Sequence, residues 1–203
     1  STLQDGRAVF NGAIFKSEYD DKQESILIPV NLANVATVIR NAASMEMTGI
    51  ELELMYQVTE AWDLMVTYGY LEAEYKDYLA DLTGDGVITD NSGLIPRNTP
   101  ENTFGFTTSY TAQLGNGELK GRVSYRFRDE MNSDSSNNPL GDLDSIENVN
   151  ATLSYSVDNY SITLWGRNLT DEREQRWATI GGLTSRGWWN EPSTVGVTFN
   201  VSY

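Results

Sequence analysis

The chain has no cysteine and no histidine, and only 14 Lys and Arg among its 203 residues, against 29 Asp and Glu. Without cysteine there is no disulfide framework and no thiolate metal site. Without histidine the chain lacks the usual general base near neutral pH, so Ser-His-Asp and Cys-His catalysis are excluded within it. These absences point away from an enzyme. A formal net charge of -15 argues against nucleic acid as a partner, because phosphate binding needs clustered Lys and Arg. Long apolar runs are also missing: nothing approaches the roughly 18 consecutive apolar residues of a membrane-spanning helix. A mean hydropathy of -0.41 suits a soluble protein, yet a membrane β-barrel alternates polar and apolar residues and averages the same way. Neither an initiator Met nor a signal peptide stands before Ser1, so a preceding segment is expected.

What the sequence does have is period-two alternation, repeated in segment after segment. Val149, Ala151, Leu153, Tyr155 and Val157 alternate with Asn150, Thr152, Ser154 and Ser156. Ile50, Leu52, Leu54, Tyr56 and Val58 do so against Glu51, Glu53 and Gln57. The same pattern holds at Leu64–Tyr70, Phe104–Tyr110, Leu119–Phe127, Tyr160–Leu164 and Val195–Tyr203. Side chains of a strand point alternately to its two faces, so these are half-buried strands, and no convincing amphipathic helix interrupts them. Short connections at Thr59–Ala61, Leu114–Gly117 and Asp158–Asn159 take turns with long polar ones near Pro29–Thr37, Tyr78–Pro100, Asn132–Ser145 and Thr170–Pro192. Roughly eight strands of about 10 residues, joined by short turns on one side and long loops on the other, predict a transmembrane antiparallel β-barrel. A soluble β-sandwich is the competing all-β architecture, but nothing in it requires loop lengths to alternate by side.

Several segments resemble the C-terminal half of the barrel of TonB-dependent outer-membrane receptors. The carriers are "GRNLTDE" (Gly166–Glu172), "RNAASMEMTGIELEL" (Arg40–Leu54), "GLIPRNTPENTFGFTTSY" (Gly93–Tyr110) and "YRFRDE" (Tyr125–Glu130). The strand ending on Tyr203 resembles the terminal signature by which outer-membrane proteins are recognised for assembly. The resemblance covers essentially all of residues 1–203 and implies about the last eight strands of a barrel of about 22. It implies a place in the outer membrane of a Gram-negative bacterium and transport of a scarce small-molecule ligand: siderophore-iron, a vitamin or an oligosaccharide. The partners it implies are outer-membrane lipid, the remaining barrel strands, a plug domain absent from this chain and, through the plug, a TonB-type energy-coupling complex.

Strand parity assigns faces to the charges. With Leu119, Gly121, Val123, Tyr125 and Phe127 toward lipid, Lys120, Arg122, Arg126 and Arg128 point into the lumen, and Arg167 does the same on its own strand. The opposite choice would cost about 2–4 kcal/mol for each cation at the bilayer midplane. The inner basic stripe either guides an anionic ligand or pairs with acids of neighbouring strands, such as Glu51 and Glu53, or of the plug. Outward aromatics, among them Trp62, Tyr68, Phe104 and Phe199, are expected at lipid contacts and girdles. Trp177, Trp188 and Trp189 lie in the last long loop; one of the adjacent pair is expected to reach the lumen mouth, to stack on a ligand or to serve a girdle. In the loop from Asp81 to Ser92, Asp81, Thr83, Asp85 and Asp90 are spaced like calcium ligands around the turn-forming Gly86. Ser92 occupies the twelfth position, usually acidic, so the expectation is a weak calcium site or else a solvated acidic turn. Two further alternatives are a complete eight-stranded barrel serving as an anchor or adhesin, and an outer-membrane enzyme.

Overall fold

The computed structural model describes residues 2–3, 6–31, 34–83, 85–173, 175–181 and 184–202. It contains strands β1 (Thr2–Leu3), β2 (Ala8–Asn31), β3 (Asn34–Thr59), β4 (Trp62–Ala80), β5 (Thr89–Asp90), β6 (Asn102–Leu114) and β7 (Gly117–Arg128). Then follow β8 (Met131–Asn132), β9 (Asp142–Leu143), β10 (Ile146–Val157), β11 (Tyr160–Arg167), β12 (Gln175–Gly181), β13 (Thr184–Trp189) and β14 (Thr194–Val201). One 3-10 turn, Pro139–Gly141, precedes β9, and no α-helix occurs among the described residues. The main sheet runs β1-β2-β3-β4-β6-β7-β10-β11-β14, every neighbour antiparallel, with β5 attached to β4. Eight of these strands are long, as the alternation predicts. The sheet does not close: among the described residues β1 and β14 each have one paired side only. It is the open wall of a larger barrel, not a complete eight-stranded one.

Backbone register carries one face across the whole sheet. Trp62 pairs with Tyr110, Tyr110 with Gly121, Gly121 with Leu153, Leu153 with Leu164 and Leu164 with Val197. This outer row is apolar and exposed, with Trp62 at 42% and Val197 at 62%, as a surface solvated by hydrocarbon should be. Toward the end that carries the long loops, Tyr68 pairs with Phe104 and Phe104 with Phe127; Phe199 and Tyr160 stack near the opposite end, their ring centroids 6.3 Å apart. The nine residues from Trp62 to Tyr70, at about 3.3 Å each and a tilt of about 45°, cover about 21 Å, close to the height of a barrel's apolar band. Directly above Ile14, Ile50 and Tyr70 the same face turns ionic: Lys16 lies 2.8 Å from Glu46 and 3.3 Å from Glu18. That switch marks the outer limit of the band.

The turns follow their chemistry. Gly115 (φ 62°) and Asp158 (φ 51°) supply the left-handed backbone that two tight turns need. At two places the structure departs from the sequence expectation. The loop expected near Pro29–Thr37 is mostly strand, because β2 runs to Asn31, β3 starts at Asn34 and Pro29 pairs with Val35. The β-branched residues Val35, Thr37, Val38 and Ile39 favour extended backbone, and the facing strand completes their hydrogen bonding. The 170–192 segment likewise holds its own ribbon, β12 paired with β13.

The largest buried side chains, Tyr75, Tyr78, Leu143 and Glu24, sit above the band. Met45, Tyr75, Tyr78 and Ala80 form a cluster around which Met47, Leu82 and Leu94 pack. Beside it Glu24 is 1% exposed; it accepts a 2.6 Å hydrogen bond from the Tyr75 hydroxyl, contacts the Lys22 ammonium and lies 3.7 Å from Arg97. Burial and then the bond to Glu24 hold the Tyr75 hydroxyl well above its ordinary pKa. Burial, followed by the Glu24 charge, pushes Tyr78 up to about 12.

Candidate functional site

The inner face is polar by the same parity that makes the outer face apolar. Arg126 pairs with Gly105 and Asn148; Arg128 pairs with Thr103 and Ile146; Lys120 and Arg122 lie in rows nearer the short turns. Arg167, at the long-loop end of β11, faces inward with Trp165. A cavity of about 1090 Å³ opens on this face, and Arg126, Arg128, Arg167 and Trp189 all line it. One strand (β7), one strand end (β11) and one loop ribbon (β12–β13) thus bring four of the sequence-predicted residues to one wall.

The four are not equivalent. Arg128 donates to the backbone carbonyls of Asp129 at 3.0 Å and Asp144 at 3.1 Å, fastening the base of the loop that follows β7. The Arg167 guanidinium lies 5.3 Å from the centre of the Trp165 ring, within cation–π range. Trp165 is itself seated on Gly196, where an added Cβ would fall 2.3 Å from the ring, and its Nε1 donates to Thr198 at 3.1 Å. Among the described residues no ion pair joins Lys120, Arg122, Arg126 or Arg167 to an acid. Glu53 and Glu51 share the rows of Arg126 and Arg128, but three strand spacings of about 4.8 Å put their backbones about 14 Å apart. Gly105 and Gly69 stand in between, leaving that stretch of wall low. Acidic and basic stripes therefore face the lumen as separate surfaces.

The aromatic loop residues separate too. Trp189 lines the cavity, whereas its neighbour Trp188, 73% exposed, belongs to the other face of β13. Trp177 pairs with Trp188 in the backbone register, but its side chain lies outside the described residues, as does Tyr203. Sequence parity missed Trp165 and Arg176, which also lines the cavity. Trp165 was legible, since it alternates with Leu164 and Gly166. Arg176 was not, because no periodic pattern marks β12.

The long loops lean on one another above the cavity. Asn137 accepts from the Ile95 backbone N–H at 2.9 Å and donates back to the Ile95 carbonyl at 2.7 Å. Ser133 donates to the Ala178 carbonyl at 3.1 Å, joining the next loop to the β12–β13 ribbon.

The Asp81–Ser92 loop is held by hydrogen bonds to its own carboxylates. Asp81 accepts from the Gly86 N–H at 2.8 Å and from Thr83, Asp85 accepts from Val87 at 2.8 Å, and Asp90 accepts from Ser92 at 3.0 Å. Bonds from the Ser92 hydroxyl and backbone hold the Asp90 carboxyl below its usual pKa. Among the described residues no three acidic side chains converge as metal ligands. Asp81, Asp85 and Asp90 each cap a local turn of this loop, and Thr83 bonds to Asp81.

An unclosed antiparallel sheet, lipid-compatible outside, polar and arginine-lined inside, with short turns at one end and interlocked loops at the other, is the wall of a transmembrane β-barrel. Residues 2–169 match the family model described as TonB dependent receptor-like, beta-barrel, and the chain belongs to that family. Its fold is similar to the ferric yersiniabactin uptake receptor FyuA from Yersinia pestis, with a TM-score of 0.76 and 18% identity over 97% of this chain and 28% of that one. It is similar as well to the siderophore receptor PiuA from Acinetobacter baumannii (TM-score 0.74, 22% identity, 99% of this chain, 27% of that one). A third likeness is to the ferric-catecholate import receptor Fiu from K12 E. coli (TM-score 0.69, 22% identity, 98% of this chain, 26% of that one). The chain therefore spans little more than a quarter of these structures. Its family is one of transport receptors, not enzymes.

Proposed function

We propose that this chain is a stretch of barrel wall in an outer-membrane receptor of a Gram-negative bacterium, which takes up a ferric siderophore in a TonB-dependent way. The observation that carries the proposal is the inner cavity lined by Arg126, Arg167 and Arg176 with Trp189 at its rim. The guanidinium groups of Arg126 and Arg167, which no ion pair among the described residues joins to an acid, attract anions from a low-dielectric wall, and ferric chelates are commonly anionic and often aromatic. The similar structures are a ferric yersiniabactin uptake receptor, a siderophore receptor and a ferric-catecholate import receptor, which favours a ferric siderophore over a vitamin or an oligosaccharide. The plug and the energy-coupling complex belong to the whole receptor, and this segment contributes wall and loop surface.

The test is charge reversal in the full-length receptor, Arg126→Glu combined with Arg167→Glu. Charge-assisted hydrogen bonds contribute about 1.5–3 kcal/mol each, so the Kd for a ferric catecholate should rise at least roughly tenfold, with barrel yield unchanged. Unchanged binding in a receptor that still transports iron would remove the cavity from the ligand path. Uptake of a neutral sugar instead would overturn the ligand class.

A further inference from the structure

We propose that Asn168 is a positioning residue: its side-chain amide clamps together the two ends of the last extracellular loop and so holds Arg176 and Trp189 over the lumen cavity. Asn168 stands just after β11, is 5% exposed and has a left-handed backbone, φ 49°. Its Nδ2 donates to the carbonyl of Glu172 at 3.0 Å and to the carbonyl of Glu191 at 3.0 Å. One amide group thereby joins residues that lie on the two sides of the β12–β13 ribbon. Its Oδ1 accepts from the Glu172 N–H at 3.1 Å, the Thr170 hydroxyl at 3.2 Å and the Asn148 amide at 3.2 Å. The backbone N–H donates to Asn150 Oδ1 at 2.9 Å, and Asn150 in turn donates to Asn148 at 2.9 Å. The loop base is thus tied to two side chains of β10 that line the cavity.

Only asparagine meets every demand of this position. Its backbone must tolerate the left-handed region, which asparagine does better than most side chains. Its side chain must supply two donors and an acceptor within reach of its own loop. Aspartate keeps the shape and the acceptor but loses both donations, setting a carboxylate against two carbonyl oxygens. Glycine keeps the backbone and loses the clamp. With the clamp gone, the ribbon retains the Ser133–Ala178 contact, the Asn190 bond to the Glu172 carbonyl at 3.1 Å and the Ser193–Asp171 bond at 2.9 Å. The expected result is a hinged loop on an intact barrel.

The effect on ligand rests on the uptake function proposed above, whereas the clamp does not. In the full-length receptor, in outer-membrane vesicles, trypsin cleavage at the exposed Arg173, Arg176 and Arg186 reports loop opening. Losing two net hydrogen bonds should speed cleavage about tenfold in both Asn168→Asp and Asn168→Gly. The Kd for a ferric catecholate should rise by a similar factor, with the barrel's heat-modifiability temperature unchanged. Cysteines replacing Glu172 and Glu191, bridged by a short bis-maleimide in the Asn168→Asp background, should restore slow cleavage and tight binding together. Unchanged cleavage would overturn the clamp, and so would a fall in barrel stability that cross-linking does not repair. Faster cleavage and its rescue, in a receptor whose wild type binds no ferric catecholate, would uphold the clamp and reject the ferric-catecholate ligand.

Discussion

Thr107 and Thr108 offer a direct test of which face meets lipid, because they are the same residue at adjacent positions of β6. Thr108 pairs with Leu64 and Val123 in an outer row near the middle of the apolar band, and Thr107 pairs with Met65 and Ser124 on the lumen side. Arginine at the midplane of a lipid face costs about 2–4 kcal/mol, whereas on a wet lumen face it costs little. Thr108 also accepts a 2.8 Å bond from the Trp62 indole, and that loss adds about 1 kcal/mol. Thr108→Arg should therefore destabilise the full-length barrel by about 3–5 kcal/mol more than Thr107→Arg. Denaturant unfolding into lipid vesicles, followed by tryptophan fluorescence and by the gel shift of the heat-modifiable band, measures both variants against the same reference. Equal costs, or a larger cost at Thr107, would mean that the faces are inverted and that the arginine cavity does not face the lumen.

The short turns should lie in the periplasm and the long loops outside, so a cysteine at Asp85 should react with an impermeant maleimide on intact cells and one at Asn116 should not; the reverse labelling would invert the topology. Burial and the Glu24 charge raise the folded-state pKa of Tyr78, so its contribution is present below the ordinary value near 10 and is lost as pH rises toward about 12. The extracellular cluster should then loosen between about pH 10 and 12 while the barrel persists, seen as a late tyrosinate absorbance step; a midpoint near 10 would contradict its burial. Because Asp81, Asp85 and Asp90 cap their own turns, proteolysis within residues 79–94 should run equally fast in millimolar calcium and in chelator. Protection by calcium that is lost in Asp85→Ala would place a cation site in this loop instead.

Sequence alone determined the wall. A strand's side-chain period is two, so Leu119–Phe127 and Val149–Val157 fixed both strand identity and the face of each residue without any tertiary information. The cost of a cation in hydrocarbon then sent Arg122, Arg126 and Arg167 inward. Periodicity failed wherever the chain leaves the membrane, since neither lipid nor lumen imposes alternation there. Hence the extended β2–β3 hairpin at Pro29–Val35 and the β12–β13 ribbon were expected as loops, and Arg176 was missed. Only tertiary structure showed that Arg128 holds loop carbonyls, that Glu51 and Glu53 stand too far from the arginines to pair, and that Asn168 gathers Glu172 and Glu191 onto one amide. Those facts depend on register between strands distant in sequence and on hydrogen bonds in which one side chain serves several backbones. A linear pattern records which face a residue occupies; which partner it meets there is decided by how the strands are laid side by side.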